Sequence, residues 1–247
     1  MTSLDLNADL GEGLPNDAAL LDIVSSASIA CGGHAGTEDS IRAALAGARD
    51  KGVVAGAHPG FADPEHFGRR RLELGADALT RQMRDQLETI GRLAAAEGVR
   101  LRYVKLHGAL ANMAAEDEHV ASIAFAAVRN FDPGLAILAI DHSAQVAAAE
   151  ALGLLVVREA YADRAYLPNG LLVPRGAPGA VLHDAERIAE RAIGLAERGE
   201  LTAADGTAFA TSARSLCLHG DNEAAVMIAR TLKARLLAAG IAIAPAL

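Results

Sequence analysis

The stretch Leu4-Asp5-Leu6-Asn7-Ala8-Asp9-Leu10-Gly11-Glu12-Gly13 carries two incompatible faces. Side chains alternate across a strand, so Leu4, Leu6, Ala8 and Leu10 point one way and Asp5, Asn7 and Asp9 the other. A polar row of this kind usually faces water. Here the strand runs into a Gly-Glu-Gly turn, and several later apolar segments end in His. Carboxylates are rare inside a sheet unless something pairs with them or uses them. The row is therefore read as looking into a shared site.

Working outward, apolar runs at 4–10, 27–31, 53–57, 101–106, 135–140, 154–158 and 215–218 read as strands. Between and after them, helical spacing covers 17–26, with Asn16 as cap, then 37–51, 77–97, 116–130, 143–152, 183–199 and 223–240. A long loop is expected over 161–182, punctuated by Pro168, Pro174 and Pro178. Strands alternating with helices imply a parallel sheet covered by helices. An open doubly wound sheet places its ligand at one switch point. Here polar groups mark six strand ends: Asp9, His34, His58, His107, Glu159 and His219. A closed barrel gathers all such ends around one mouth. The expectation is one α/β domain over 1–247, a parallel β/α barrel with seven strands rather than eight.

Composition narrows the function. A net charge of −8 excludes a nucleic-acid or anionic-membrane surface as the main partner. The only basic cluster, Arg69-Arg70-Arg71, is solvated or binds one anion. The stretch before the first strand shows no signal-peptide pattern, and no apolar run reaches the ~18 residues of a spanning helix. A cytoplasmic protein with reduced Cys31 and Cys217 is expected. Lys51, Lys105 and Lys233 are the only lysines. Lys105 shares a strand face with His107, and an inward Lys needs an anion or a task.

Four histidines at strand ends, His34, His58, His107 and His219, each lie beside Gly or Pro, which leave room for close approach of a substrate. Asp9, His34 and His58 could hold a divalent metal in an open three-ligand site. A structural zinc site is not expected, because the Cys-x-x-His of Cys31 and His34 has no completing pair. No Gly-x-x-x-x-Gly-Lys-Ser/Thr and no Gly-x-Ser-x-Gly segment is present. Glu159-Ala160-Tyr161-Ala162-Asp163-Arg164 is either a solvated charged loop or an acidic pair with an Arg at the mouth.

Taken together, these segments resemble the LamB/YcsF lactam-utilisation family. The resemblance rests on Asp-Leu-Asn-Ala-Asp-Leu-Gly-Glu-Gly (5–13), Ser-Ile-Ala-Cys-Gly-Gly-His-Ala-Gly (28–36), Gly-Ala-His-Pro (56–59), Val-Lys-Leu-His-Gly-Ala-Leu (104–110), Glu-Ala-Tyr-Ala-Asp-Arg (159–164), Leu-Val-Pro-Arg (172–175) and Cys-Leu-His-Gly-Asp (217–221). Leu106 stands where the family usually has Pro, and Ala111 where it usually has Tyr, a change expected to alter the local pocket. The resemblance implies a seven-stranded barrel of the glycoside hydrolase/deacetylase type. It also implies ATP-dependent opening of 5-oxo-L-proline to L-glutamate in a 5-oxoprolinase with two further subunits, B and C. With no P-loop here, the ATP surface is expected to be shared with, or to belong to, those partners.

On this expectation Asp9 or Glu12 orients or deprotonates water. His34, His58, His107 and His219 move protons and hold the oxyanion, and Lys105 and Arg164 neutralise a substrate carboxylate or a phosphorylated intermediate. Asn7, Glu159, Asp163, Arg164 and Asp221 are assigned to substrate contact, with Asp5 and Asn7 also supporting the row from below. Two rival expectations are a stand-alone metal-dependent deacetylase using Asp9, His34 and His58, and a binding subunit that presents 5-oxoproline to a partner.

Overall fold

Seven parallel strands close on themselves in the computed structural model, which describes residues 2–218 and 224–247. In chain order the elements are β1 (Ser3–Leu10), α1 (Asp17–Leu21), β2 (Ser26–Ala30), α2 (Glu38–Lys51), β3 (Val54–His58), α3 (Ala76–Ala96), β4 (Leu101–Val104), α4 (Gly108–Glu116), α5 (Glu118–Phe131), β5 (Ala136–Ile140) and α6 (Ala144–Ala151). There follow β6 (Val156–Tyr161), α7 (Ala185–Arg198), β7 (Glu200–Thr202), β8 (Ala208–Ala210), β9 (Ser215–Leu218), α8 (Ala225–Ala238) and β10 (Ala242–Ile243). The barrel order is β1-β2-β3-β4-β5-β6-β9, and β1 pairs β9 through Asp5 with Ser215 and Asn7 with Cys217. The expected seven-stranded barrel is thus present.

Several boundaries differ from the sequence expectation. The first helix stops at Leu21 rather than residue 26, because Ser26 already pairs with Asn7 as the start of β2. Asn16 occupies the N-cap position, but its side chain makes no capping bond. The sixth strand runs on through Tyr161, taking that residue out of the expected loop. Helix α4 lies outside the sequence expectation; it opens on Gly108, whose φ of +57° is a poor helix signal. The β7–β8 hairpin and the short β10, which pairs with Ser3 and Leu4, are further additions. Two- and three-residue strands carry too little periodicity to read.

The alternation of β1 works as expected. Leu4, Leu6, Ala8 and Leu10 join the large apolar core between sheet and helices, while Asp5, Asn7 and Asp9 turn inward and are all buried. The barrel interior has a separate small apolar cluster of Tyr103, Ala136, Leu138 and Val157, packed with Val54 and Leu247. Gly56 makes this possible, because a Cβ there would overlap the Tyr103 ring. The Tyr103 hydroxyl pairs with Ser28 Oγ at 3.1 Å, where the apolar floor gives way to polar side chains.

Candidate active site

The polar row of β1 is satisfied layer by layer. Asp5 accepts hydroxyl bonds from Ser215, Ser25 and Ser26 at 2.5, 2.6 and 2.8 Å. Burial nevertheless raises its pKa. One step up, Asn7 donates to Glu159 Oε1 and Ser215 Oγ, both at 2.8 Å. Above them Lys105 Nζ lies 2.9 Å from Asp9 Oδ1, 3.2 Å from Asn7 Oδ1, 3.1 Å from Glu159 Oε1 and 2.9 Å from Cys217 Sγ. Burial alone would favour a neutral amine, but the carboxylates of Asp9 and Glu159 outweigh it and hold the Lys105 pKa well above its ordinary value. Burial pushes the Cys217 thiol and the Glu159 carboxyl up, the latter against the pull of Lys105. The layer is therefore centred on one ammonium facing Asp9.

Next to it stand three imidazoles. The turn that carries Glu12 is pinned on both sides: Gly11 N–H donates to Asp17 Oδ2 at 2.7 Å, and Ser40 Oγ donates to the Gly11 carbonyl at 3.0 Å. Gly11 and Gly13 supply φ values of +75° and +82°, so the chain can reverse and aim Glu12 back over the barrel. Its Oε1 lies 3.1 Å from His34 Nε2 and 3.6 Å from His107 Nδ1. The His34 and His107 rings stack at 3.6 Å, and His58 Nε2 meets His107 Nδ1 at 3.0 Å and Asp9 Oδ2 at 3.4 Å. Burial and the neighbouring His58 lower the His34 pKa to about 3. Burial and the other two rings likewise push His107 well below the usual imidazole value. Both are neutral bases at pH 7.

One ligand atom from each of Glu12, His34, His58 and His107 falls within 4.8 Å of the others, an arrangement able to hold a metal ion. This group shares His34 and His58 with the expected donor set of Asp9, His34 and His58 and adds Glu12 and His107, while Asp9 divides its oxygens between Lys105 Nζ at 2.9 Å and His58 Nε2 at 3.4 Å.

Asp9, His58, Lys105 and His107 form the floor of a cavity of about 540 Å³. Its walls include Ala109, Ala111 and Asn112 of α4, Tyr161 of β6 and, from the loop after β6, Leu172 and Val173. Arg69, Arg71, Arg164 and Arg175 also line it, so the site favours an anion with an apolar body. Arg164 has a second task, donating to the carbonyls of Ala180 and Val173 at 3.2 and 2.8 Å and so fixing the loop. Asn7, Glu159 and Asp163 are buried but do not line the cavity, so their expected place in substrate contact is not what the fold provides. Asn7 and Glu159 lie below it because the register sets Glu159 and Ser215 level with Asp5, four residues before Asp9 on β1. His219 and Asp221 fall outside the described residues.

Sequence reasoning misses two kinds of contributor. Arg69 and Arg71 read only as a solvated or anion-binding run, because nothing in sequence shows their loop folding over the mouth. That fold-over is visible in the bonds from Ala109 N to the Gly68 carbonyl and between His107 Nε2 and the Phe67 carbonyl, both 2.9 Å. Gln86 of α3 is the other. It clamps the backbone of Gly60 with bonds of 2.8 and 3.1 Å, fixing the turn just after His58. A signal for it exists: Gln86 lies on the helix face of Leu79, Met83 and Ile90, where an unpaired amide would be costly.

The profile of the LamB/YcsF family matches residues 4–247. The chain belongs to the LamB/YcsF family. Among its relatives, a protein of Azorhizobium caulinodans named as the A subunit of 5-oxoprolinase is 46% identical over 250 residues, spanning 99% of each chain. The crystal structure of a lactam utilization protein from Thermus thermophilus superposes with a TM-score of 0.92 at 37% identity, covering 98% of this chain and 99% of that one. A family 4 carbohydrate esterase from Streptomyces lividans shares the fold alone, with a TM-score of 0.54 and 9% identity over 98% of this chain and 91% of the other. No helix among the described residues is long and apolar enough to cross a membrane.

Proposed function

We propose that this chain is the lactam-binding subunit of an ATP-dependent 5-oxoprolinase, opening 5-oxo-L-proline to L-glutamate together with two further subunits, B and C. The observation that carries the reading is the cavity: an acid–base floor beneath a rim of arginines, in a chain 46% identical along its whole length to the A subunit of a 5-oxoprolinase.

The chemistry follows from the parts. A five-membered lactam carries one carboxylate and an apolar edge. An arginine of the rim takes the carboxylate, and Ala109, Ala111 and Leu172 take the ring carbons. Ala111, smaller than the family's usual Tyr, widens this wall and bears on substrate choice. An unstrained amide is a poor electrophile, so ATP activates the carbonyl, with its phosphates met by partner residues or by the arginines here. Asp9 Oδ2, 3.4 Å from His58 Nε2, then positions or deprotonates the attacking water, with Lys105 Nζ 2.9 Å from its other oxygen offsetting the carboxylate charge. Collapse of the adduct breaks the ring C–N bond as Asp9 passes the water's proton to the departing nitrogen, and a second water releases the activating phosphoryl group from the new carboxyl oxygen as inorganic phosphate.

The test combines the chain with its B and C subunits, ATP and 5-oxo-L-proline, and follows glutamate. Asp9→Asn is expected to lower kcat by about 10²- to 10⁴-fold, whereas Arg71→Ala raises KM for the anionic substrate. Normal turnover by Asp9→Asn and Lys105→Ala within an intact complex would overturn the catalytic assignment and favour a presenting subunit. Glutamate formed by this chain alone without ATP would sink the coupled form.

A further inference from the structure

The hydrogen bonds around His58 and His107 fix which ring nitrogens carry protons. His58 Nδ1 lies 2.9 Å from the Lys105 carbonyl, and a carbonyl can only accept, so Nδ1 donates. His107 Nε2 lies 2.9 Å from the Phe67 carbonyl and donates for the same reason. In neutral rings the remaining nitrogens, His58 Nε2 and His107 Nδ1, are then bare lone pairs. They face each other at 3.0 Å. Two lone pairs do not rest at that distance without a cation between or beside them.

The surroundings select the cation. Glu12 Oε1 lies 3.6 Å from His107 Nδ1 and 3.1 Å from His34 Nε2. Zinc binds imidazole nitrogen and carboxylate oxygen at about 2.0–2.2 Å, so the edge between two ligand atoms of a tetrahedral site is about 3.3 Å. The three separations, 3.0, 3.1 and 3.6 Å, straddle that edge. The donation of the distal N–H of His58 and of His107 to a backbone carbonyl is also how metal-ligating histidines are oriented. Phe67 turns its carbonyl toward His107 from a left-handed conformation, φ +54°, unusual for an aromatic residue. Gly60 and Gly68 make room, since a Cβ at Gly68 would come within 2.6 Å of His34 Cβ and one at Gly60 within 3.3 Å of His34 Nδ1.

We propose that Glu12, His34, His58 and His107 form a site for one divalent metal ion of the zinc class, an N₃O donor set suited to imidazole-preferring metals. The site does not depend on the lactam reading, and its test needs no turnover. The full chain, prepared without a histidine tag and stripped with a chelator, is titrated with zinc by calorimetry and with cobalt(II) by visible absorption. One equivalent is expected, with a cobalt ligand-field band below six-coordination. Glu12→Gln and His107→Gln should weaken binding by about 10- to 100-fold or more, on the scale set by losing even a supporting contact. His142→Gln, which alters an exposed histidine, should retain one equivalent. Circular dichroism establishes that each variant is folded, and Glu12→Gln, nearly isosteric, is the one chosen to survive. Two results overturn the proposal. One is a folded wild-type chain that takes up no zinc while the ¹⁵N signals of His58 and His107 report a shared proton. The other is binding undiminished in Glu12→Gln and His107→Gln, which would place the ion elsewhere.

Discussion

The two ends of the barrel interior are filled in opposite ways. At the end where the strands begin, Tyr103, Ala136, Leu138 and Val157 pack with Val54 and Leu247, and shape alone is required of them. At the end where the strands finish, Lys105, Asp9, Asn7, Glu159 and Cys217 occupy the same kind of space with charge and hydrogen bonds. An apolar plug tolerates substitution at conserved volume. A buried ionic layer does not, because removing one partner strands the others. The lower end makes the barrel stable, and the upper end uses that stability to hold groups water would otherwise claim.

The largest expected effect tests the upper end. Lys105→Met keeps volume but leaves Asp9 and Glu159 without their ammonium, and should destabilise by about 3–5 kcal/mol in urea unfolding. A loss below about 1 kcal/mol would show that water or protonation replaces the lysine and that the two ends are less different than they look. Gly56→Ala tests the lower end. Its Cβ would overlap the Tyr103 ring, and overpacking of this kind costs about 1–3 kcal/mol, read as a fall in Tm. The smallest effect is expected from Leu247→Ala, half-buried against the plug: about 1 kcal/mol of stability, with glutamate formation unchanged. A drop in turnover there would mean that the lower plug also sets the geometry of the floor.

Much of this arrangement is legible in the sequence, and the failures have physical causes. The period-two alternation of 4–10 and the polar strand ends lead to a closed seven-stranded barrel, since sheet periodicity is local and robust. His34, His58 and His107 converge as expected, and Lys105 meets Asp9. What cannot be read is height within the barrel. Glu159 and Asn7 belong to the same inward face as the floor residues, but the stagger between β1, β6 and β9 leaves them beneath the cavity. Nor can the reversal at Gly11–Gly13, which brings Glu12 onto His34 and His107, be inferred without knowing that Asp17 and Ser40 pin that turn. Arg69 and Arg71 depend on a loop whose position is set by distant backbone bonds.

The closure of the barrel between β1 and β9 has a consequence in time. Asn7 waits for Ser215, Asp5 for the same hydroxyl, and Lys105 for Cys217, across separations of 208, 210 and 112 residues. As the chain emerges from the ribosome, Asp5 of β1 is made 210 residues before Ser215, which opens the strand that completes its pairing. Until then Asp5 and Asn7 lack their bonds to Ser215 and Lys105 lacks its contact with Cys217, and contacts of such long range are slow to form. Synthesis past Ser215 must therefore precede any working site, and a chain halted before it would have made most of the site residues without being able to bring them to a common floor.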